Sequence, residues 1–129
     1  MVLLAQDQLL RVEPHEYLAR GAPYGNTSPW MVRKGVLEAV LRAQERLQAD
    51  RAGWRFKIFD GNRPVAVQRF MVWQEFLQQA MRRGISLEGY TSTDELERHA
   101  PHRYQELAAT VFTFWSIPSD DEYFGFERT

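Results

Sequence analysis

The chain contains no cysteine. Disulfides, thiolate nucleophiles and cysteine-based zinc sites are therefore excluded, and a reducing compartment suits the composition. Long apolar runs are missing too. No window reaches the roughly 18 apolar residues of a membrane span. Met1-Val2-Leu3-Leu4-Ala5 is cut short by Gln6, Asp7 and Gln8. It has neither the basic start nor the apolar stretch of about 7–15 residues of a secretory signal. The expectation is a cytoplasmic protein without a membrane partner. Charge of one sign is also lacking: 16 basic and 17 acidic residues leave a formal charge of −1. No global field then favours nucleic acid or anionic lipid. Gly35, Gly61 and Gly84 are scattered, so no glycine loop cradles a phosphate, and no serine has a glycine-flanked nucleophile context.

What is present suits a globular fold. The 129 residues are 44% hydrophobic and 26% charged, close to globular averages. That length predicts one domain over 1–129. It excludes a barrel of eight strand–helix units, which needs about 250 residues. No internal repeat or low-complexity linker divides the chain.

The periodicity predicts mixed helices and strands. Residues 1–28 read as an irregular opening segment, with turn formers dense over Gly21–Asn26. Ser28-Pro29 has the character of a helix start. Val32, Val36, Val40, Ala43 and Leu47 then recur at helical spacing, predicting an amphipathic helix over about 29–50. Trp54, Phe56 and Ile58 alternate with Arg55 and Lys57, predicting a strand over 54–60. Asp60-Gly61-Asn62 makes a turn, and a helix over about 64–83 follows, with Val67, Phe70, Met71, Phe76, Leu77 and Met81 apolar. Arg82-Arg83 suit its last turn, and Gly84 ends it. Ser92 and Glu95 have the spacing of a capping box. A helical region over about 93–109, broken near Pro101, comes next. Val111–Ser116 reads as a second strand, followed by an acidic and aromatic tail. The class is α+β, with two or three helices and a small antiparallel sheet.

Two groups of residues carry candidate chemistry. Arg63 stands where strand, turn and helix meet. Its guanidinium offers five donors in a rigid fork, suited to a carboxylate, a phosphate or a developing oxyanion. The structural alternative is an ion pair with Asp60. The histidines are the second group. His99 and His102 are three apart, but Pro101 lies between them, and their surroundings are polar. A hydrolytic zinc site needs three protein ligands and an open position. A third ligand from Asp94, Glu95, Glu97 or His15 completes no His-Glu-x-x-His pattern. Exposed histidines are the simpler reading. Trp30, Trp54, Trp73 and Trp115 are read as core, and Asp120-Asp121-Glu122 as a solvated tail and not a cation site.

Ile58-Phe59-Asp60-Gly61-Asn62-Arg63-Pro64, with Val67 and Phe70 beyond, resembles the D-alanyl-D-alanine dipeptidases, zinc metallopeptidases of the vancomycin-resistance type. Tyr24-Gly25-Asn26, Ser28-Pro29-Trp30 and Ala43-Gln44 with Leu47 precede it in similar order. The resemblance covers about residues 10–119. It implies a D,D-peptidase-like zinc-peptidase fold, zinc as cofactor, and hydrolysis of D-Ala-D-Ala to two D-alanines. It implies that Arg63 binds substrate and stabilises the tetrahedral transition state.

The family's zinc ligands and general base lie in a Ser-x-His-x-x-Gly-x-Ala-x-Asp segment and a later Glu-x-x-Trp-His segment. This sequence contains neither, and His15, His99 and His102 match no ligand position. The expectation is the N-terminal part of a dipeptidase catalytic domain, holding no metal and inactive alone. A complementing C-terminal fragment or self-association would then cover its apolar faces. The alternatives are a non-enzymatic binding module that uses Arg63 as a carboxylate or peptide anchor, and a structural domain without ligand.

Overall fold

Residues 10–12 form the partner that the strand near Ile58 needs. The Leu10 N–H donates to the Phe56 carbonyl at 3.0 Å, and the Val12 N–H to the Ile58 carbonyl at 2.9 Å. The structure, a computed structural model, describes residues 1–4 and 7–118. In chain order its elements are β1 (Val2–Leu3), β2 (Leu10–Arg11), α1 (Glu16–Ala19), β3 (Met31–Val32), α2 (Lys34–Asp50), β4 (Lys57–Ile58), α3 (Val65–Arg83), α4 (Thr93–His99) and α5 (Pro101–Val111). The chain divides into two compact units, Met1–Pro64 and Val65–Thr129. No helix among the described residues is long and apolar enough to cross a membrane.

In the first unit, β1 pairs antiparallel with β3, and β2 pairs parallel with β4. The α+β class holds. The described residues form five helices where two or three were expected, and one of the two ladders is parallel. The helix expected over 29–50 begins only at Lys34. Met31 and Val32 are drawn out as a strand against Leu3 and Val2, a tertiary pairing that local periodicity does not report. Ser28 still caps, but its Oγ accepts the Trp30 N–H of a turn, at 3.2 Å.

The expected strand over 54–60 is reduced to Lys57–Ile58. Trp54 turns outward, 57% exposed, under the Arg51 guanidinium at 5.0 Å. Leu4, Leu9, Trp30 and Val32 make this unit's buried cluster, with Leu37, Val40, Leu41, Phe56 and Ile58 against it. The buried face of α2 is centred on Gln44, while Val36, assigned to the apolar stripe, is exposed. Gln44 is buried because it ties two segments. Its Nε2 donates to the Gln8 carbonyl at 2.6 Å, and its Oε1 accepts the Phe56 N–H at 2.9 Å.

The second unit is helical. Val72, Phe76, Ala80, Leu87, Leu96, Leu107 and Val111 form its core. Phe76 is fully buried and stacks on Tyr104 at 5.5 Å, so truncation to alanine would cost about 3–5 kcal/mol. Met81, expected inside, is 78% exposed. Gly84, at φ +67°, ends α3. The Ile85 N–H reaches the Ala80 carbonyl at 2.9 Å and the Gly84 N–H the Met81 carbonyl at 3.3 Å. This double closure satisfies carbonyls that the helix end leaves free. Arg83 reaches α5, where its guanidinium donates to the Glu106 carbonyl and the Thr110 hydroxyl.

Ser92 caps α4 as expected, its Oγ accepting the Glu95 N–H at 3.1 Å. The reciprocal bond is shifted by one residue, because Glu95 accepts from the N–H and hydroxyl of Thr91. Those bonds hold its carboxyl below the usual range. Pro101 sits in the first turn of α5, where its missing N–H matters least.

The strand expected over 111–116 does not form. Val111 ends α5, and turns follow with Thr113 N–H on Thr110 and Trp115 N–H on Val111. Its apolar residues continue the helix's inward face, with Val111 in the core and Phe112 and Trp115 against it. Helical closure therefore overrides β propensity. Asp120-Asp121-Glu122 and the aromatic tail lie outside the described residues.

Candidate functional site

The turn Asp60–Arg63 is pinned to the loop before β3. The Gly61 N–H donates to the Pro29 carbonyl at 2.6 Å. A Cβ on Gly61 would meet the Met31 carbonyl oxygen at 3.0 Å and the Val32 Cβ at 3.3 Å. Glycine is thus the residue that lets the backbones approach. Asn62 Nδ2 donates to the Ser28 carbonyl at 3.2 Å. The segments 28–30 and 58–64, matched separately in the sequence, are one joined structure.

Arg63 closes this turn. Its Nε is 3.0 Å from Asp60 Oδ2, and its guanidinium carbon lies 5.1 Å from the centre of the Tyr17 ring. The ion pair that the structural alternative foresaw is therefore present. Pairing does not remove the arginine from solvent, since a third of its side chain, 33%, remains exposed. A guanidinium is always charged and presents its donors in a rigid fork that matches carboxylate geometry.

Behind the pair lies an aromatic nest. Tyr17, Tyr24 and Trp30 are buried, and Phe59 is half-buried. At its centre is His15, only 4% exposed. Its ring is 4.9 Å from Phe59, and edge-on to Tyr17 and Trp30 at 5.3 Å each and to Tyr24 at 6.0 Å. Tyr17 in turn meets Phe59 at 5.1 Å. His15 also caps α1, its Nδ1 accepting the Leu18 N–H at 3.4 Å.

Burial pushes the His15 imidazole below its ordinary value, against the opposing pulls of Asp60 and the Phe59 carbonyl. Burial, reinforced by Asp60, pushes the Tyr24 hydroxyl up to about 12, so it stays protonated. The Tyr17 hydroxyl is raised by burial as well, with Arg63 opposing. His15 Nε2 and Tyr24 Oη are buried with no hydrogen-bond partner among the described residues.

Sequence reasoning found Arg63 and Asp60 but not this nest. From sequence His15 reads as a metal ligand or an exposed histidine, and its burial corrects the second reading. The available signal was its place two residues before Tyr17, between Pro14 and a short helix. His99 and His102 end α4 and open α5, both exposed. Among the described residues, no three His, Cys, Asp or Glu side chains gather to hold a metal ion. The described residues therefore do not fit the zinc that the resemblance implies.

No protein-family model matches the chain. No solved structure matches it either. A curated protein does: the chain is homologous to a hydrolase of dipeptides. That relative is the D-alanyl-D-alanine dipeptidase of Synechocystis sp., 33% identical over 110 residues that cover 85% of this chain. The homology bears out the resemblance read from Ile58–Pro64. The chain spans about two fifths, 41%, of the length of that curated relative.

Proposed function

We propose that this chain supplies the dipeptide-anchoring part of a D-alanyl-D-alanine dipeptidase catalytic domain, with Arg63 as its anion-binding group. One observation carries the reading. At the turn that resembles the family's motif, a guanidinium is held by Asp60 and Tyr17 while a third of its side chain stays exposed. Such a group suits the carboxylate of D-Ala-D-Ala, or the oxygen that gains negative charge when its amide is attacked.

In the full-length family enzyme, zinc would activate water and polarise that carbonyl. The described residues offer no ligand set for it, and no hydrolytic step is assigned to them. The 129 residues alone are therefore proposed to bind the dipeptide without cleaving it. Calorimetry with D-Ala-D-Ala, on this chain and on Arg63→Ala, tests the anchor. The variant should lose at least about tenfold in affinity, equivalent to about 1.4 kcal/mol. Equal binding by both proteins, or none by either, removes Arg63 from the role. Release of D-alanine at enzymatic rates after adding zinc would overturn the proposed inactivity.

A binding module without catalysis is the second reading, favoured by the lack of a metal-ligating group among the described residues. Trp54, Phe114 and Ile117 are exposed by 57%, 73% and 68%. Exposed apolar surface of this kind promotes association. A complementing C-terminal fragment or a second copy is accordingly proposed to cover Phe114 and Ile117 of the second unit, with Trp54 a separate exposed position of the first. Sedimentation as a monomer at high concentration would contradict that.

A further inference from the structure

We propose that His15 is a positioning residue for Arg63, acting through two supports of the arginine at once. Tyr17 lies under the guanidinium, and Asp60 pairs with its Nε. Both supports rest against the same imidazole. Tyr17 meets it edge-on at 5.3 Å, and Phe59, the residue before Asp60, lies against it at 4.9 Å. Tyr17 is also carried by α1, which His15 caps, its Nδ1 accepting the Leu18 N–H at 3.4 Å.

The choice of histidine here is informative. With Nδ1 accepting, the neutral ring carries its proton on Nε2. That Nε2 is buried without a well-formed hydrogen bond, and the Phe59 carbonyl is near enough to the ring to favour its charged form. A poorly satisfied buried polar atom costs stability, and a phenylalanine would fill the nest without one. What phenylalanine lacks is the Nδ1 acceptor. The imidazole joins an aromatic body that spaces Phe59 and Tyr17 to an acceptor that secures α1.

Protonation would remove this arrangement. A charged ring donates from both nitrogens, so the Leu18 N–H loses its acceptor and the turn bearing Tyr17 is released. Burial and Arg63 oppose the added proton, while Asp60, the Phe59 carbonyl and Glu16 favour it. The hydroxyls of Tyr17 and Tyr24, which also flank the ring, stay neutral throughout. The neutral ring is thus the one that holds Arg63.

The inference rests on the reading of Arg63 as the dipeptide's anchor, but its test does not need the dipeptide. The Arg63 Nε–H resonance of the isotope-labelled full chain is followed from about pH 8 to about pH 5, the range in which a histidine changes charge. Arg63→Lys assigns the signal by its loss. The resonance should shift with one midpoint below the ordinary histidine value. That shift should vanish in His15→Asn, which keeps an acceptor for the Leu18 N–H but has no titrating ring. A signal that stays flat in the unsubstituted chain overturns the proposal, and so does a shift that survives in His15→Asn. D-Ala-D-Ala is then added to the same samples near pH 8. A coupled Arg63 signal with no response to the dipeptide keeps His15 in its role and removes the anchor reading alone.

Discussion

The guanidinium carbon of Arg63 lies 5.1 Å from the centre of the Tyr17 ring, so the exposed cation stands on a buried aromatic face. A contact of this kind is worth about 0.5–1 kcal/mol at an exposed site. Tyr17→Leu should therefore weaken D-Ala-D-Ala binding by about two- to fivefold, the same energy expressed as an equilibrium constant. Tyr17→Phe keeps the face and should bind within about twofold of the unsubstituted chain. Calorimetry on the two variants checks this. Equal losses in both would show that the hydroxyl, not the ring, supports Arg63.

Stability should fall on acidification through His15. Burial lowers its folded value below 6.5, so the unfolded chain takes up the proton first. The neutral ring's contribution is complete above the unfolded value and shrinks as pH falls below it. It is fully lost once pH is below the lowered folded value. Urea midpoints near pH 7.5 and pH 5.5, about one unit either side of the unfolded value, should differ more for this chain than for His15→Asn. Identical pH dependence in the two proteins would remove His15 as the source.

Gln44 should prove a principal tie of the first unit. Its amide serves the Gln8 carbonyl and the Phe56 N–H together. Leaving a buried backbone group unpaired costs about 1–3 kcal/mol, so Gln44→Leu, which strands two, should destabilise by about 2–6 kcal/mol. Gln48, exposed in its bond to the Trp54 carbonyl, provides the comparison. Gln48→Ala should cost under about 0.5 kcal/mol. Denaturant unfolding monitored by tryptophan fluorescence reads both.

In the second unit, Ser92→Ala removes the acceptor for the Glu95 N–H at the start of α4. The expected loss is about 1 kcal/mol, and Ser92→Asp should recover most of it. Thermal melts followed by circular dichroism decide the matter. A neutral Ser92→Ala would show that the Thr91–Glu95 bonds alone hold this end.

Local chemistry was readable in the sequence wherever a bond closes within a few residues. Gly84, Ser92 and Pro101 mark helix ends as their types suggest, and Asp60 and Arg63 pair across three positions. The likeness of Ile58–Pro64 to the dipeptidases was readable for the same reason, since the turn is continuous in the chain. Tertiary structure decided the rest. Met31–Val32 became a strand because Val2–Leu3 lies beside it, and Val111 stayed helical because it faces a core assembled from three helices. Gln44 was buried because Gln8 and Phe56, far apart in the chain, needed one shared partner. His15 became the centre of the candidate site because Tyr24, Trp30 and Phe59 converge on it from separate segments. Residue type and spacing determine bonds made within a turn or a helix end. Burial and the pairing of distant polar groups depend on which segments meet, and that is a property of the folded chain alone.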